Sequence, residues 1–274
     1  ALYLEQLAAR AHPVVYSREA SRWSEIRAFY ARGFPRAFRE AGGYTAAAFA
    51  LFALPFLAAY LAIQVDPSLG RIMPLPPDFV DSVERGQSWL QIEGSERSLA
   101  ATLIMTNNIQ VAIFAFAGGV LLGLGTVYAM FNNGLSIGAT AGLAAAYGLG
   151  PDLADFVVAH GGIELTVVFI AGGAGLRLGR SILAPGLLSR QVALSRAARS
   201  AVALMFGCVP LLIAAGLIEG FVSPSSLPTA AKAAVGATAT AVLYAYLLLA
   251  GRSLPHSQPG ARLDLQVPVQ HVDG

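Results

Sequence analysis

Charged side chains are scarce in this sequence. They make up 12% of its 274 residues, about half of the roughly 25% that soluble domains carry. The formal net charge is only +2, so bulk electrostatic attraction gives no basis for nucleic-acid binding. A soluble protein of 274 residues would need many more charged side chains on its surface. The composition therefore predicts an integral membrane protein.

Cysteine and lysine are almost absent. Cys208 is the one cysteine, so an internal disulfide is excluded. It lies inside an apolar block, which favours a role as a small buried hydrophobic side chain. Lys232 is the one lysine among 18 basic residues, and this skew toward arginine is typical of GC-rich bacterial genomes. Together with the membrane character, it predicts a multi-pass protein of the bacterial cytoplasmic (inner) membrane.

Apolar residues, at 55% of the chain, fall in long blocks rather than in short alternating strands. This pattern favours helices over a β-barrel. A bilayer core needs about 20 apolar helical residues, and Asn132-Asn133-Gly134 reads as a tight turn between two blocks. The sequence therefore predicts an all-α, polytopic membrane helix bundle of about six transmembrane helices, at residues 44–65, 109–131, 134–150, 156–176, 201–222 and 233–251.

The basic residues predict the orientation of the bundle, because cytoplasmic connections carry an excess of lysine and arginine. With the N-terminus inside, the six-span arrangement leaves 14 basic residues inside, namely Arg10, Arg18, Arg22, Arg27, Arg32, Arg36, Arg39, Arg177, Arg180, Arg190, Arg196, Arg199, Arg252 and Arg262. It leaves four outside, namely Arg71, Arg85, Arg97 and Lys232. Both termini are therefore predicted to be cytoplasmic.

Residues 1–43 are predicted to form a cytoplasmic amphipathic helical segment. Its aromatic face carries Trp23, Tyr30 and Phe34, with arginines on the opposite side. Such a helix can lie on the anionic inner leaflet, or its aromatic face can pack on the protein's own cytoplasmic surface or on a second subunit. The sequence leaves these alternatives open.

The bundle, residues 44–251, is predicted to have two sizeable connections. An outer loop, 66–100, would cap the bundle or serve as a docking surface, and 177–200 would be an inner amphipathic loop. The tail, 252–274, has prolines, a glycine and polar residues without periodicity, which predicts a flexible cytoplasmic segment.

Glycines recur at four-residue spacing within the apolar blocks. In lipid, small residues let helix backbones approach closely, so these glycines are expected at helix contacts; the run 134–142 would pair the third span with the second. Packing within one subunit explains them as well as a homo-oligomer, of which a dimer is the favoured form. A further run is Gly216-x3-Gly220. The main packing set is Gly119, Gly123, Gly134, Gly138, Gly142, Gly175 and Gly179.

Ionisable residues inside spans are costly and therefore informative. His160 and Glu164 are four residues apart, hence on one helix face, with Glu164 near the midplane; Glu219 reaches a similar depth from another span. We expect these three to form one hydrogen-bonded unit facing the bundle interior. The full polar cluster predicted for the outer half of the membrane is His160, Glu164, Glu219, Asn107, Asn108 and Lys232.

Three interpretations of this cluster follow. It can be a staple that fixes helix register, a polar cavity open to the outside that binds a ligand, proton or peptide, or a metal site. The metal interpretation is disfavoured because no span holds a second histidine and His160 lacks an HExxH partner. With neither a nucleophile–base–orienter set nor a phosphate loop, the sequence predicts no enzyme, no metal and no cofactor.

Five short stretches resemble the stage II sporulation protein M family of integral membrane proteins. They are GFPRAFR (33–39), NNIQVA (107–112), NNGLSIG (132–138), HGGIEL (160–165) and LIEGFVSP (217–224). The resemblance implies a membrane scaffold or assembly protein linked to cell-envelope or peptidoglycan machinery. Its expected partners are the lipid bilayer and membrane or envelope proteins, not nucleic acid. The alternative is a small transporter or channel that uses the outer polar cavity, although no inverted repeat supports it.

Overall fold

A computed structural model describes residues 22–87 and 94–252, without the side chains of 94–105. In these ranges the regular structure is entirely helical, so the all-α prediction is confirmed. We number the α-helices with residue bounds in chain order: α1 Phe34–Glu40, α2 Gly42–Val65, α3 Pro77–Glu84, α4 Gly94–Ala117, α5 Leu124–Ala146, α6 Gly150–Val157, α7 Gly161–Leu183, α8 Arg190–Phe221 and α9 Thr229–Leu249.

Four of these helices are long and apolar enough to cross a membrane: α2, α7, α8 and α9. Helix α7 lies at the centre of the bundle, with 78% of its most apolar window buried, whereas the corresponding windows of the other three are 22–28% buried. The remaining side chains of α2, α8 and α9 are largely apolar and exposed, which is the surface that a lipid environment requires.

The second and third predicted spans have the wrong bounds. Asn132-Asn133-Gly134 lies in the middle of α5 rather than in a turn. The chain instead turns after α4, through a 3₁₀ turn at Gly118–Val120 and Gly123, whose φ is +85°. Glycine adopts that left-handed conformation without steric cost. The polar turn signal was therefore misleading, and an apolar, glycine-rich stretch makes the turn.

The predicted inner loop, 177–200, is also shorter in the structure. Helix α7 continues to Leu183, and α8 begins at Arg190 after Ser189, whose hydroxyl accepts a hydrogen bond from the Val192 amide at 3.4 Å. Such an N-cap satisfies a free backbone donor at a helix start. The predicted loop 177–200 thus consists of two helix ends and a short link.

The glycine run on α5 packs against α2, its most extensive neighbour. A Cβ atom on Gly134 or Gly138 would collide with the backbone carbonyl oxygen of Phe52 or Phe56, respectively. Close packing through these glycines agrees with the prediction, but the partner helix is α2 and not the second predicted span. The prediction paired two spans that follow each other in the sequence, whereas the glycine face of α5 packs on the first long helix.

A second group of glycines packs the α4–α5 turn onto α7. A Cβ on Gly119 would meet the backbone of Gly175, and one on Gly179 would come within 2.5–2.6 Å of Gly123. Gly220, by contrast, has nothing within 4 Å, so the Gly216-x3-Gly220 run does not make a close contact at that residue.

The N-terminal aromatic face docks on the protein's own bundle. Phe34 is fully buried beside Gly207 of α8, and the Tyr30 hydroxyl donates to the Phe206 carbonyl at 3.1 Å. Arg39 donates to two carbonyls at the end of α9 at 2.8 Å, where a cation is favourable. Trp23, further upstream, stays exposed. Residues 1–21 and 253–274 lie outside the described residues, as do the predictions made for them.

The first part of the predicted outer loop folds onto the bundle as a cap. A 3₁₀ helix, Pro67–Ile72, and α3 follow α2, and Val80 and Val83 of α3 are buried in one cluster with residues of α2 and α5. Arg71 forms ion pairs with Asp81, at 3.1 Å, and with Glu84. This part of the predicted loop therefore covers the bundle as a cap, which is one of the two predicted alternatives; the docking surface stays a prediction.

Candidate functional site

Three ionisable side chains from two helices meet at one end of the bundle. His160 immediately precedes α7, Glu164 lies in its first turn, and Glu219 lies in the last turn of α8. Each offers one ligand atom within 4.8 Å of the others, and the three residues are only 1–3% exposed. We call His160, Glu164 and Glu219 the buried cluster.

Helix ends position the buried cluster. The spacing of His160 and Glu164 places both on one face of α7, and the 32-residue α8 returns to the same end of the bundle to bring Glu219 alongside. Because α7 begins at Gly161 and not at the predicted 156, Glu164 lies near the helix end. Its predicted position near the midplane is therefore corrected toward the end of the bundle where α7 begins.

Hydrogen bonds reach the buried cluster from neighbouring residues. The Asn108 amide donates to Glu164 Oε2 at 2.5 Å, and His160 Nδ1 lies 2.9 Å from the Ser223 hydroxyl. His160 Nε2 is 4.0 Å from Glu164 Oε2, beyond hydrogen-bond distance. Glu219 Oε1 is buried and has no hydrogen-bond partner in the described chain. The three side chains are thus adjacent without the direct hydrogen bonds expected between them.

A second polar network adjoins the first through Ser223. Lys232, only 3% exposed, donates from Nζ to Asp155 Oδ2 at 2.5 Å and to the Ser223 carbonyl at 2.9 Å. Thr229 donates to the other Asp155 oxygen at 2.6 Å. Ser223 therefore contacts His160 through its side chain and Lys232 through its backbone, joining α6, α7, α8 and α9.

The predicted polar residues thus divide into groups. His160, Glu164, Glu219 and Asn108 come together, and Lys232 belongs to the adjoining network. Asn107 has an exposed side chain, and it is Asn108 that donates to Glu164. Sequence reasoning missed three contributors, which are Ser223, Asp155 and Thr229. Ser223 follows Glu219 by four residues, which was the one available signal that both share a face.

The pKa of the Asp155 carboxyl lies below its ordinary value of 3.8. The largest cause is the hydrogen bond that it accepts from Lys232, and the next is the hydrogen bond that it accepts from Thr229. A depressed pKa stabilises the fold above the unfolded-state pKa, and that contribution disappears as the pH falls through the folded-state pKa. We therefore expect Asp155→Asn to lower the melting temperature at pH 7, and the difference from the parent to shrink below about pH 4. A difference that stays constant down to pH 2.5, measured by thermal unfolding in detergent, would contradict this ion pair.

Chemically, the buried cluster combines one imidazole and two carboxylates in a site shielded from solvent. Such groups can share protons, or they can ligate a metal ion together. Their burial does not suit a polar cavity open to the outside, because the side chains that would line it face the interior.

Comparison with known proteins gives one finding. The family model described as Stage II sporulation protein M matches residues 48–224, which is more than half of the chain and includes the whole buried cluster. No curated protein and no solved structure matches the chain.

Proposed function

The chain belongs to the stage II sporulation protein M family, and from that premise we propose that it is a membrane scaffold or assembly protein of the bacterial cell envelope. The observation that carries this proposal is the tight packing of the described helices. Glycine-to-backbone contacts hold α5 on α2, and the outer cap and the N-terminal helix cover opposite ends of the bundle. A platform for other proteins requires such a fixed shape more than it requires an open cavity.

We also propose six spans with both termini in the cytoplasm. Six described helices have 21–32 residues, enough to cross a bilayer core of about 30 Å. Besides the four apolar ones, they include α4 and α5, which carry more polar residues. With these bounds seven of the 18 basic residues lie within the six helices rather than in connections, but each lies toward the helix end on its predicted side, so the bias of 14 inside against four outside is kept. These seven are Arg97, Arg177, Arg180, Arg190, Arg196, Arg199 and Lys232.

Reporter fusions test this topology. Fusions after Arg85 and after Ser226 are expected to report outside, and fusions after Leu187 and after Arg252 inside. Leu187 is the decisive position, because it lies in the short link between α7 and α8. An outside signal there would mean that an odd number of spans precedes α8, which the six-span arrangement does not allow.

Site-specific cross-linking tests the scaffold proposal in living bacteria. A photoreactive residue at Arg85, exposed on the outer cap, is expected to capture periplasmic domains of peptidoglycan enzymes. The matched control is Leu54, an exposed apolar position on α2 that should contact lipid. Depletion of the protein should then disperse a fluorescent fusion of the captured enzyme, and an unchanged enzyme distribution would overturn the proposal.

The alternative function, a small transporter or channel, has a distinct signature. The purified protein in proteoliposomes would conduct protons or small ions, and Glu164→Gln would abolish that flux. The 1–3% exposure of the buried cluster counts against such a path. We therefore expect no flux above that of empty liposomes, and a flux sensitive to Glu164→Gln would replace the scaffold proposal.

A further inference from the structure

The buried cluster holds two carboxylates, and none of the lysine or arginine side chains that the structure describes forms an ion pair with them. The ammonium of Lys232 is already bound by Asp155 and the Ser223 carbonyl, and Asn108 contributes only an amide to Glu164. A buried carboxylate without a partner is costly. Either protons or a bound cation must therefore neutralise Glu164 and Glu219.

The donor atoms lie close enough together for one cation to reach all three after small shifts. They lie within 4.8 Å of one another, and ligands at about 2.0–2.2 Å from an ion are separated by roughly 3–4 Å. Closing the difference needs shifts of about 1 Å, within reach of carboxylate side-chain rotation. The unpartnered Glu219 Oε1 is the independent sign of a missing ligand, because a buried acceptor of this kind is normally satisfied.

The surroundings also orient the donors. Because His160 Nδ1 is occupied by the Ser223 hydroxyl, the remaining nitrogen, Nε2, faces Glu164. Metal-ligating histidines characteristically use their other ring nitrogen in this way, and ligating carboxylates are held by neighbouring donors. Asn108 holds Glu164 in the same manner.

We propose that His160, Glu164 and Glu219 bind one divalent transition-metal ion, with Zn²⁺ the first candidate, that fastens the start of α7 to the end of α8. One imidazole and two carboxylates suit Zn²⁺, whereas Ca²⁺ prefers six to eight oxygen ligands and Mg²⁺ an octahedral shell that keeps several waters. The absence of a second histidine, which argued against metal at the sequence level, loses its force because Glu219 supplies the third donor from another helix.

Three protein ligands leave one coordination position for water or for a second carboxylate oxygen, and the burial of the cluster favours a structural role for the metal. The inference goes beyond the scaffold proposal without depending on it. Elemental analysis of the full chain, purified in detergent without chelator, is expected to give about one zinc per chain. Treatment with EDTA should lower the melting temperature, and Zn²⁺ alone should restore it. Glu219→Gln should lose both the metal and the response, whereas the control Glu40→Gln, at an exposed pair with Arg36, should keep both.

Ser223→Ala tests the orientation of the His160 ring separately from the binding of the metal ion by its ligands. It leaves all three ligands in place but removes the hydroxyl beside His160 Nδ1, so the affinity for Zn²⁺ should fall about 10–100-fold. If Glu219→Gln fails to fold, the Co²⁺-loaded parent protein decides, because a four- or five-coordinate site absorbs visible light far more strongly than hydrated Co²⁺.

Two outcomes would overturn the proposal. One is a folded parent protein without stoichiometric metal, whose melting temperature neither EDTA nor Zn²⁺ changes. The other is a Co²⁺ spectrum that matches the hydrated ion. Either would mean that protons neutralise the carboxylates.

Discussion

Gly138→Ala is expected to destabilise the folded bundle by about 1–3 kcal/mol or more, the usual cost of forcing an extra methyl group into a filled contact. The added Cβ would collide with the Phe56 carbonyl oxygen, which belongs to helix backbone and cannot rotate away. Elsewhere in a helix the same substitution stabilises by roughly 0.5–1 kcal/mol. Gly43→Ala is the matched control, since nothing lies within 4 Å of its Cβ position on α2.

Denaturant titration in detergent measures these two variants and a third, Gly142→Ala. The expected order of stability is Gly43→Ala at or above the parent, then Gly142→Ala, and Gly138→Ala lowest. Gly142 is intermediate because a Cβ there meets the Ile63 side chain at 3.1 Å and the Tyr60 carbonyl at 3.2 Å, contacts that small shifts can relieve. Equal stabilities of Gly138→Ala and Gly43→Ala would show that α5 does not lie on α2 at this point.

Asp155→Ala is expected to cost about 3 kcal/mol, the lower end of the range for breaking a buried ion pair. Lys232 would keep its buried ammonium with only the Ser223 carbonyl as a partner. The lower end applies because the Asp155 side chain is 35% exposed, so water replaces part of the lost interaction. Lys232→Met should cost clearly less, because the aspartate left behind can be solvated while the methionine fills the buried volume.

The specific expectation is that Asp155→Ala loses more stability than Lys232→Met. The control is Asp152→Ala, which removes an exposed acid on the same helix. The double variant Asp155→Ala/Lys232→Met should recover stability relative to Asp155→Ala alone. If Asp155→Ala unfolds no more readily than Asp152→Ala, the ion pair seen in the structure does not hold α6 to α9.

The all-α fold class and the family could be predicted because they depend on local composition and on short motifs. The position of the turn between the second and third predicted spans could not be predicted, because two opposing signals compete in α5. Asn132-Asn133-Gly134 has turn chemistry, yet burial of Asn133 and contact of Gly134 with α2 keep the segment helical. Tertiary packing overrides local preference here, and no periodicity in the sequence reveals which helix α5 will meet.

The buried cluster could be predicted only in part, because helical spacing is visible in the sequence whereas tertiary packing is not. Helical spacing alone relates His160 to Glu164, and span orientation brings Glu219 to the same end. Asn107 and Asn108 were indistinguishable in sequence, but neighbouring residues differ by about 100° around a helix, so only one faces Glu164. Ser223 lies just beyond the end of α8, and Asp155 lies on the short helix α6. Their positions depend on the direction that the chain takes between helices, which spacing rules do not describe.

The central claim is that Glu164 and Glu219 act as one unit that joins α7 to α8. A double-mutant cycle with Glu164→Gln and Glu219→Gln, read as the free energy of unfolding in detergent, tests it most directly. Contacting residues in a shared network show coupling energies of about 0.5–3 kcal/mol, whereas distant residues add. We expect the double variant to lose less stability than the two single losses combined, while Glu164→Gln with the remote Glu40→Gln should add. Strict additivity of Glu164→Gln and Glu219→Gln would contradict the account.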